Sequence, residues 1–257
     1  MNEIVELSIL QFSLIYLLLI IVLIIMKKSK IEQTKLLLIS TARMTVQLVL
    51  AGLILTYIFE RPHPIFVILY LAAMIIFSIH RVLSNHKELN KGFKLSIGLA
   101  LTFSGIFILA YFVIVIVGEN FFNPQYTIPL AGMIIGNAMT GVTLGLKTFE
   151  ENLKSQRSRI EALLNLGVTP KEILLPFANN ALETALLPTL NRMLGMGIIS
   201  LPGMMTGQIL SGTSPTTAIL YQIAIMVAIT VAVCLTVFLA LNFGYKTLYN
   251  KRNQMMF

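Results

Sequence analysis

Apolar runs of about 20 residues recur along this chain, and each is long enough as a helix to cross the hydrocarbon of a bilayer. By length they predict spans at 8–26, 36–59, 64–82, 95–117, 126–146, 193–211 and 218–243. The fold class that follows is all-α, a polytopic integral membrane protein with about seven transmembrane helices. Composition agrees: 56% of the 257 residues are hydrophobic and 12% are charged, where a soluble domain carries about 25% charged residues. Most runs also lack the polar face of a helix lying on the membrane surface. The first run is expected as a true span instead of a secretory signal, because "MNEIVE" ahead of it is acidic and no A-x-A cleavage pattern follows. One cysteine, Cys234, lies inside the last run, so neither a disulfide framework nor a multi-cysteine metal site can form, and it reads as packing.

Positive charge sets the orientation. Lys27, Lys28, Lys30 and Lys35 follow the first span, Arg81, Lys87, Lys91 and Lys94 the third, and Lys147, Lys154, Arg157, Arg159 and Lys171 the fifth. Lys246, Lys251 and Arg252 sit in the tail, and Arg43 and Arg192 fall near cytoplasmic span ends, which leaves Arg61 alone on the other side. The N-terminus is therefore expected outside and the C-terminus in the cytoplasm. The net charge of +8 reflects this asymmetry and anionic lipid at the inner surface, and it implies no nucleic-acid partner. Two spans within 173–211 would turn the tail outward. Residues 170–190, interrupted by Asn179, Asn180 and Glu183 and kinked by Pro176 and Pro188, are accordingly expected as a shallow interfacial helix, with the sixth span starting after Arg192.

Between the fifth and sixth spans the chain turns polar. Phe149, Leu153, Ile160, Leu163 and Leu164 share one helical face, with charged residues largely elsewhere. Gly167 is a stop signal; Thr169, Pro170 and Glu172 supply a cap, a first-turn proline and a capping-box partner. The segment 148–190 reads as a helix, a tight turn at 167–169 and a second helix returning to the membrane, with an ordinary solvated loop as the alternative. The chain carries no nucleotide site of its own: G-x-x-x-x-G-K-[ST] is absent, and "GVTLGLKT" misses its spacing. All eleven acidic residues are Glu, so no Asp stands ready for magnesium. No nucleophile and base can be paired within the spans, so an enzyme is not expected.

"PLAGMIIGNAM", "LGVTPKE", "ALLPT", "SLPGMMTGQILSG" and "SPTTAILYQI", spread over 129–223, resemble the permease subunits of FetB-type bacterial iron-export ABC transporters. They are also similar to the membrane half of plant aluminium-tolerance transporters. "ARMTVQLVLAG" at 42–52 is the most informative earlier piece. The resemblance implies one ABC permease domain over 1–257, in the plasma membrane, that exports iron or another metal ion. It would act as a homodimer with a separate cytoplasmic ATPase, which alone uses ATP and magnesium; no cofactor is bound by this chain. It also implies that Glu161, Gly167, Thr169 and Pro170 contact that ATPase or set the geometry that does, which is compatible with plain capping. At Asn191 and Leu194 the sequence departs from the family, whose members often carry an Asp and a Lys there. A stand-alone channel or secondary transporter is the alternative; it needs an ion-coupling carboxylate deep in a span, whereas Glu6, Glu119 and Glu183 sit at margins.

Within the spans, Gly132 and Gly136 form a GxxxG step in a series with Gly141 and Gly145, read as close packing. Asn137 near mid-span is a candidate for the substrate pathway or for glue between helices. Arg43 and Gln47 share a face of the second span, where Arg43 either lines the pathway or snorkels. Met204 and Met205 belong with Met193 and Met196 to a cluster of soft thioethers that suit Cu(I) better than iron or simply pack. Pro202 with Gly203 predicts a break or hinge in the sixth span, which Gln208 follows by about one turn. No residue set marks a metal site.

Overall fold

A computed structural model of the chain describes residues 8–250 and 254. The "MNEIVE" stretch with Glu6, and the tail cations Lys251 and Arg252, lie outside the described residues. The regular elements of the described chain are all helices: α1 (Ile9–Leu14), α2 (Leu17–Lys28), α3 (Thr34–Glu60), α4 (Pro64–Asn85), α5 (Lys91–Tyr111), α6 (Pro124–Ser155), α7 (Arg157–Asn165), α8 (Pro170–Gly195), α9 (Gly203–Leu210) and α10 (Pro215–Gly244). A π-helical turn, Phe112–Val117, extends α5, and a 3-10 turn, Tyr245–Leu248, extends α10. Among the described residues, six helical stretches are long and apolar enough to cross a membrane: Leu10–Lys28, Thr34–Glu60, Pro64–Asn85, Lys91–Val117, Pro124–Ser155 and Pro215–Leu248. They coincide with the first five expected spans and the last. This is a multi-pass membrane protein.

The expected sixth span needs correcting. Residues 193–211 form no single helix: α8 ends at Gly195, seven residues follow out of helix, and α9 resumes for eight. Nor do residues 170–190 stand apart as a separate shallow helix, because α8 continues unbroken through Pro176 and Pro188. Each proline removes one intrahelical hydrogen bond, and burial of Leu174, Ala178, Ala181 and Ala185 along one face outweighs that loss. At 26 residues α8 is roughly 39 Å long.

The described residues fall into two compact units. The first holds the chain up to Arg61 with Leu210–Gly212, and in it the Tyr16 hydroxyl meets Thr45 Oγ1 at 2.7 Å, tying the start of α2 to α3. The second holds Pro62–Ile209 and the chain from Thr213 onward. Here α6 is central, packed against α4, α5, α8 and α10, while α10 also packs on α5 and α8. Two close approaches make this possible. A Cβ on Gly141 would lie 2.6 Å from Val233 Cγ1, and one on Gly244 would overlap the edge of the Phe93 ring. The outer surface is as apolar as the interior: Leu95, Leu99 and Phe103, one turn apart on α5, are all more than half exposed. Such a stripe is stable only against lipid or another protein.

Candidate functional site

The polar segment after the fifth span is built as a rigid elbow. α6 runs on to Ser155 and α7 follows after Gln156, anchored by fully buried Ile160. Gly167 adopts φ +84°, the left-handed conformation a non-glycine residue resists. Its N–H donates to the Leu164 carbonyl at 3.0 Å and the Val168 N–H to Leu163 at 3.0 Å, the pair of bonds that closes a Schellman motif. Two residues later a capping box opens α8. The Glu172 N–H donates to Thr169 Oγ1 at 3.4 Å, while the Thr169 hydroxyl and N–H donate back to Glu172 Oε2 at 2.8 and 3.2 Å. Those two bonds hold the Glu172 carboxyl below the usual carboxylate range. The cap's contribution is therefore complete above that range and is lost as pH falls through the lowered value. Pro170 is buried at the start of α8, Glu161 pairs with Arg157 at 3.0 Å on the surface of α7, and Leu166 stands 80% exposed at the tip. At its base the elbow is braced to the α4–α5 connection, since Lys154 meets Glu88 at 2.6 Å and Glu150 meets buried His86 at 2.9 Å. The Lys154 contact holds the Glu88 carboxyl low as well.

A second polar constellation lies far from the elbow, where α8 stops. Asn137 stands midway along the apolar run 126–146, and its Oδ1 accepts from Arg192 Nη1 at 3.0 Å. Its amide is oriented by Nδ2, which donates to the Met133 carbonyl at 2.7 Å. Met193, next in the chain, accepts from the Thr230 hydroxyl at 3.2 Å, and Thr230 is midway along the run 218–243. Gln222 Nε2 approaches Met196 Sδ at 3.9 Å. The C-terminal turn of α8 is thus level with the middle of both neighbouring runs. Arg192, read from sequence as a cation near a cytoplasmic span end, is instead level with mid-run Asn137. A guanidinium level with the middle of an apolar run is a candidate functional residue.

Beyond Gly195 the chain closes a small loop. The Gly197 N–H donates to the Ser200 carbonyl at 2.9 Å, and the Ile199 N–H donates to the Gly195 carbonyl at 2.9 Å. Pro202 and Gly203 stand at the end of this break, where α9 begins. On α9, Met205 is buried, Met204 is half-buried against the core, and Gln208 is half-buried with its carbonyl accepting from Thr213 N–H at 2.9 Å. Gly132 and Gly136 are one turn apart on α6. A Cβ on Gly136 would meet nothing within 4 Å, and one on Gly132 only Met74 at 3.4 Å. The tight glycine contacts of α6 are at Gly141 and Gly145, where a Cβ would lie 2.6 Å from Val233 and 3.1 Å from Val237. Arg43 and Gln47 stand one turn apart on α3, in the first unit, both exposed.

The structure brings Asn137 together with Arg192, which sequence reasoning left out of the site, as it did Gln222 and Thr230. Two polar residues two turns apart in the last apolar run were the available signal for that pair. Gln222 is buried, and its Oε1 has no partner among the described residues. No three His, Cys, Asp or Glu residues gather as metal ligands among the described residues.

Comparison with known proteins gives a consistent result. The family model described as "Uncharacterised protein family (UPF0014)" matches residues 9–249. The chain is 32% identical over 229 residues to the probable iron export permease protein FetB of Escherichia coli (strain K12), covering 89% of this chain and 87% of the relative. It is 35% identical over 187 residues to Protein ALUMINUM SENSITIVE 3 of Arabidopsis thaliana, covering 73% and 67%. To the UPF0014 membrane protein YjkA of Bacillus subtilis (strain 168) it is 29% identical over 250 residues, covering 96% of each. No solved structure matches.

Proposed function

The chain belongs to the UPF0014 family of membrane proteins, and from that premise we propose that it is the transmembrane subunit of an ABC-type exporter for a metal ion, iron first among candidates. It works as a homodimer with a separately encoded cytoplasmic ATPase. The relative named as a probable iron export permease supports the transport reading. The elbow at Gly167 carries the ATPase reading: a turn fixed by a Schellman motif on one side and a capping box on the other transmits motion without dissipating it, and it offers exposed Leu166 at its tip. Motion of that tip reaches the membrane along α6 and α8, each continuous from the elbow to mid-run depth.

Seven crossings follow, with the N-terminus outside and the C-terminus inside. The sixth is discontinuous: the last turns of α8 form its inner half, the Met196–Pro202 segment breaks it, and α9 completes it. One broken crossing keeps Lys246, Lys251 and Arg252 on the cytoplasmic side, as the charge distribution requires. A break at depth is tolerated where it is buried in protein or lines a water-filled cavity. Asn137, Arg192, Met204, Met205 and Gln208 around it are therefore the pathway candidates, and the open position at Gly136 is where the second copy approaches.

Tagged chain purified from its native host tests the pairing. An ATPase subunit will co-purify with it, and Glu161→Lys, which reverses charge beside the turn, will weaken retention by about tenfold, the equivalent of about 1.4 kcal/mol. Recovery of the wild-type chain with no ATPase would sink the proposal.

A further inference from the structure

The charge at mid-run depth in the second unit has one sign. Arg192 is its guanidinium, and its described partner is the neutral Asn137. No carboxylate balances it: all eleven acidic residues are Glu, and none lies in the middle of an apolar run. Glu183, on the same helix, is nine residues back, roughly 13 Å along the axis. The negative end of the α8 dipole supplies about half a charge, so the local field stays positive.

A bare metal cation entering this depth meets repulsion and finds no carboxylate. The thioethers of Met193 and Met196 are neutral, and each already faces a donor from α10. An anion meets the opposite situation. Guanidinium offers five N–H donors in a planar fork that fits a carboxylate bidentately. Asn137 engages Nη1 and leaves the rest of that fork available, and Arg192 itself is exposed. The Met133 carbonyl holds the Asn137 amide so that its oxygen, not its NH2, steadies the arginine. Beside them the Thr140 hydroxyl, which donates to the Gly136 carbonyl at 3.0 Å, is on the exposed face of α6.

We propose that Arg192 and Asn137 form an anion-recognition station in the transport path, and that cargo passes it as a carboxylate-bearing anion, metal-free or as a metal chelate. This rests on the transporter reading and names the class of substrate it would carry. It also accounts for a metal exporter whose described residues gather no metal-ligand cluster: the ligands travel with the metal.

The test is equilibrium binding to the full chain in lipid nanodiscs without any ATPase, so that failure here leaves the ATPase pairing standing. The probes are radiolabelled citrate, ferric citrate, and ferrous and manganous ions. Wild type will bind one or both citrate forms saturably and the bare cations more weakly; the citrate arms separate the free acid from the chelate. Arg192→Gln will weaken citrate binding by at least about tenfold, whereas Arg192→Lys, which keeps the charge and loses the fork, will fall between. Asn137→Asp places a carboxylate against the arginine and will cause the same loss with the charge pair satisfied, so a folding defect in Arg192→Gln does not decide the matter. Binding of bare cations in preference to citrate, unchanged citrate affinity in both Arg192→Gln and Asn137→Asp, or no saturable citrate binding by wild type would overturn the proposal.

Discussion

Gly244→Ala and Gly141→Val will each lower the thermal stability of the purified chain, and Gly136→Ala will not. A methyl at 244 enters the space of the Phe93 ring, which is itself fully buried and packed on Phe149 at 5.9 Å between centroids, so it has nowhere to retreat. At 141 even a Cβ comes within 2.6 Å of Val233. Overpacking of this kind costs about 1–3 kcal/mol. Gly136 has no neighbour within 4 Å of a Cβ, so the isolated fold tolerates alanine there. Gly136→Leu, by contrast, will leave the monomer intact and weaken the homodimer. Thermal unfolding in detergent with mass measurement by light scattering reads both effects. A stability loss at 136 equal to that at 141 would show that this face is already filled within one copy.

Gly167→Pro will uncouple the transporter while sparing its membrane core. Proline fixes φ near −65°, where the elbow requires +84°, and it deletes the N–H that donates to Leu164. The turn must reorganise, which redirects α8 relative to α7. ATP-driven transport will fall by at least about tenfold, with the melting temperature of the helical core little changed. Gly167→Asn, which enters the left-handed region far more readily, will retain most of the activity. Full transport in the proline variant would mean that the elbow carries no force.

Five spans and the last were legible because their signal is simple: an apolar run of the right length has few other ways to satisfy its backbone. The elbow was legible for a local reason as well, since glycine, threonine, proline and glutamate at 167–172 each have a conformational role readable without tertiary context. The sixth crossing was not. Asn179, Asn180 and Glu183 make α8 look interfacial, and its hydropathy falls below that of a plain span, yet the Asn180 side chain accepts from Asn152 of α6 at 3.0 Å and the helix continues past both prolines. Where α8 ends depends on its antiparallel register against α6, set by Ala181 and Ala185 against Gly145. That register is invisible in a one-dimensional pattern, and with it went the depth of Arg192. The pairing of thioethers with Thr230 and Gln222 was hidden for the same reason, as the partners are 37 and 26 residues apart.

The most direct test of the central claim is metal movement across vesicles that hold the chain with and without its ATPase. With both subunits present, ATP on the cytoplasmic side will drive iron, offered as aquo-ion and as citrate chelate in parallel, to the opposite side against its gradient; without the ATPase, or with ATP replaced by a non-hydrolysable analogue, none will move. Equal iron flux in vesicles containing the chain alone, driven by an ion gradient or by the iron gradient itself, would contradict the account and make the protein a channel or secondary transporter.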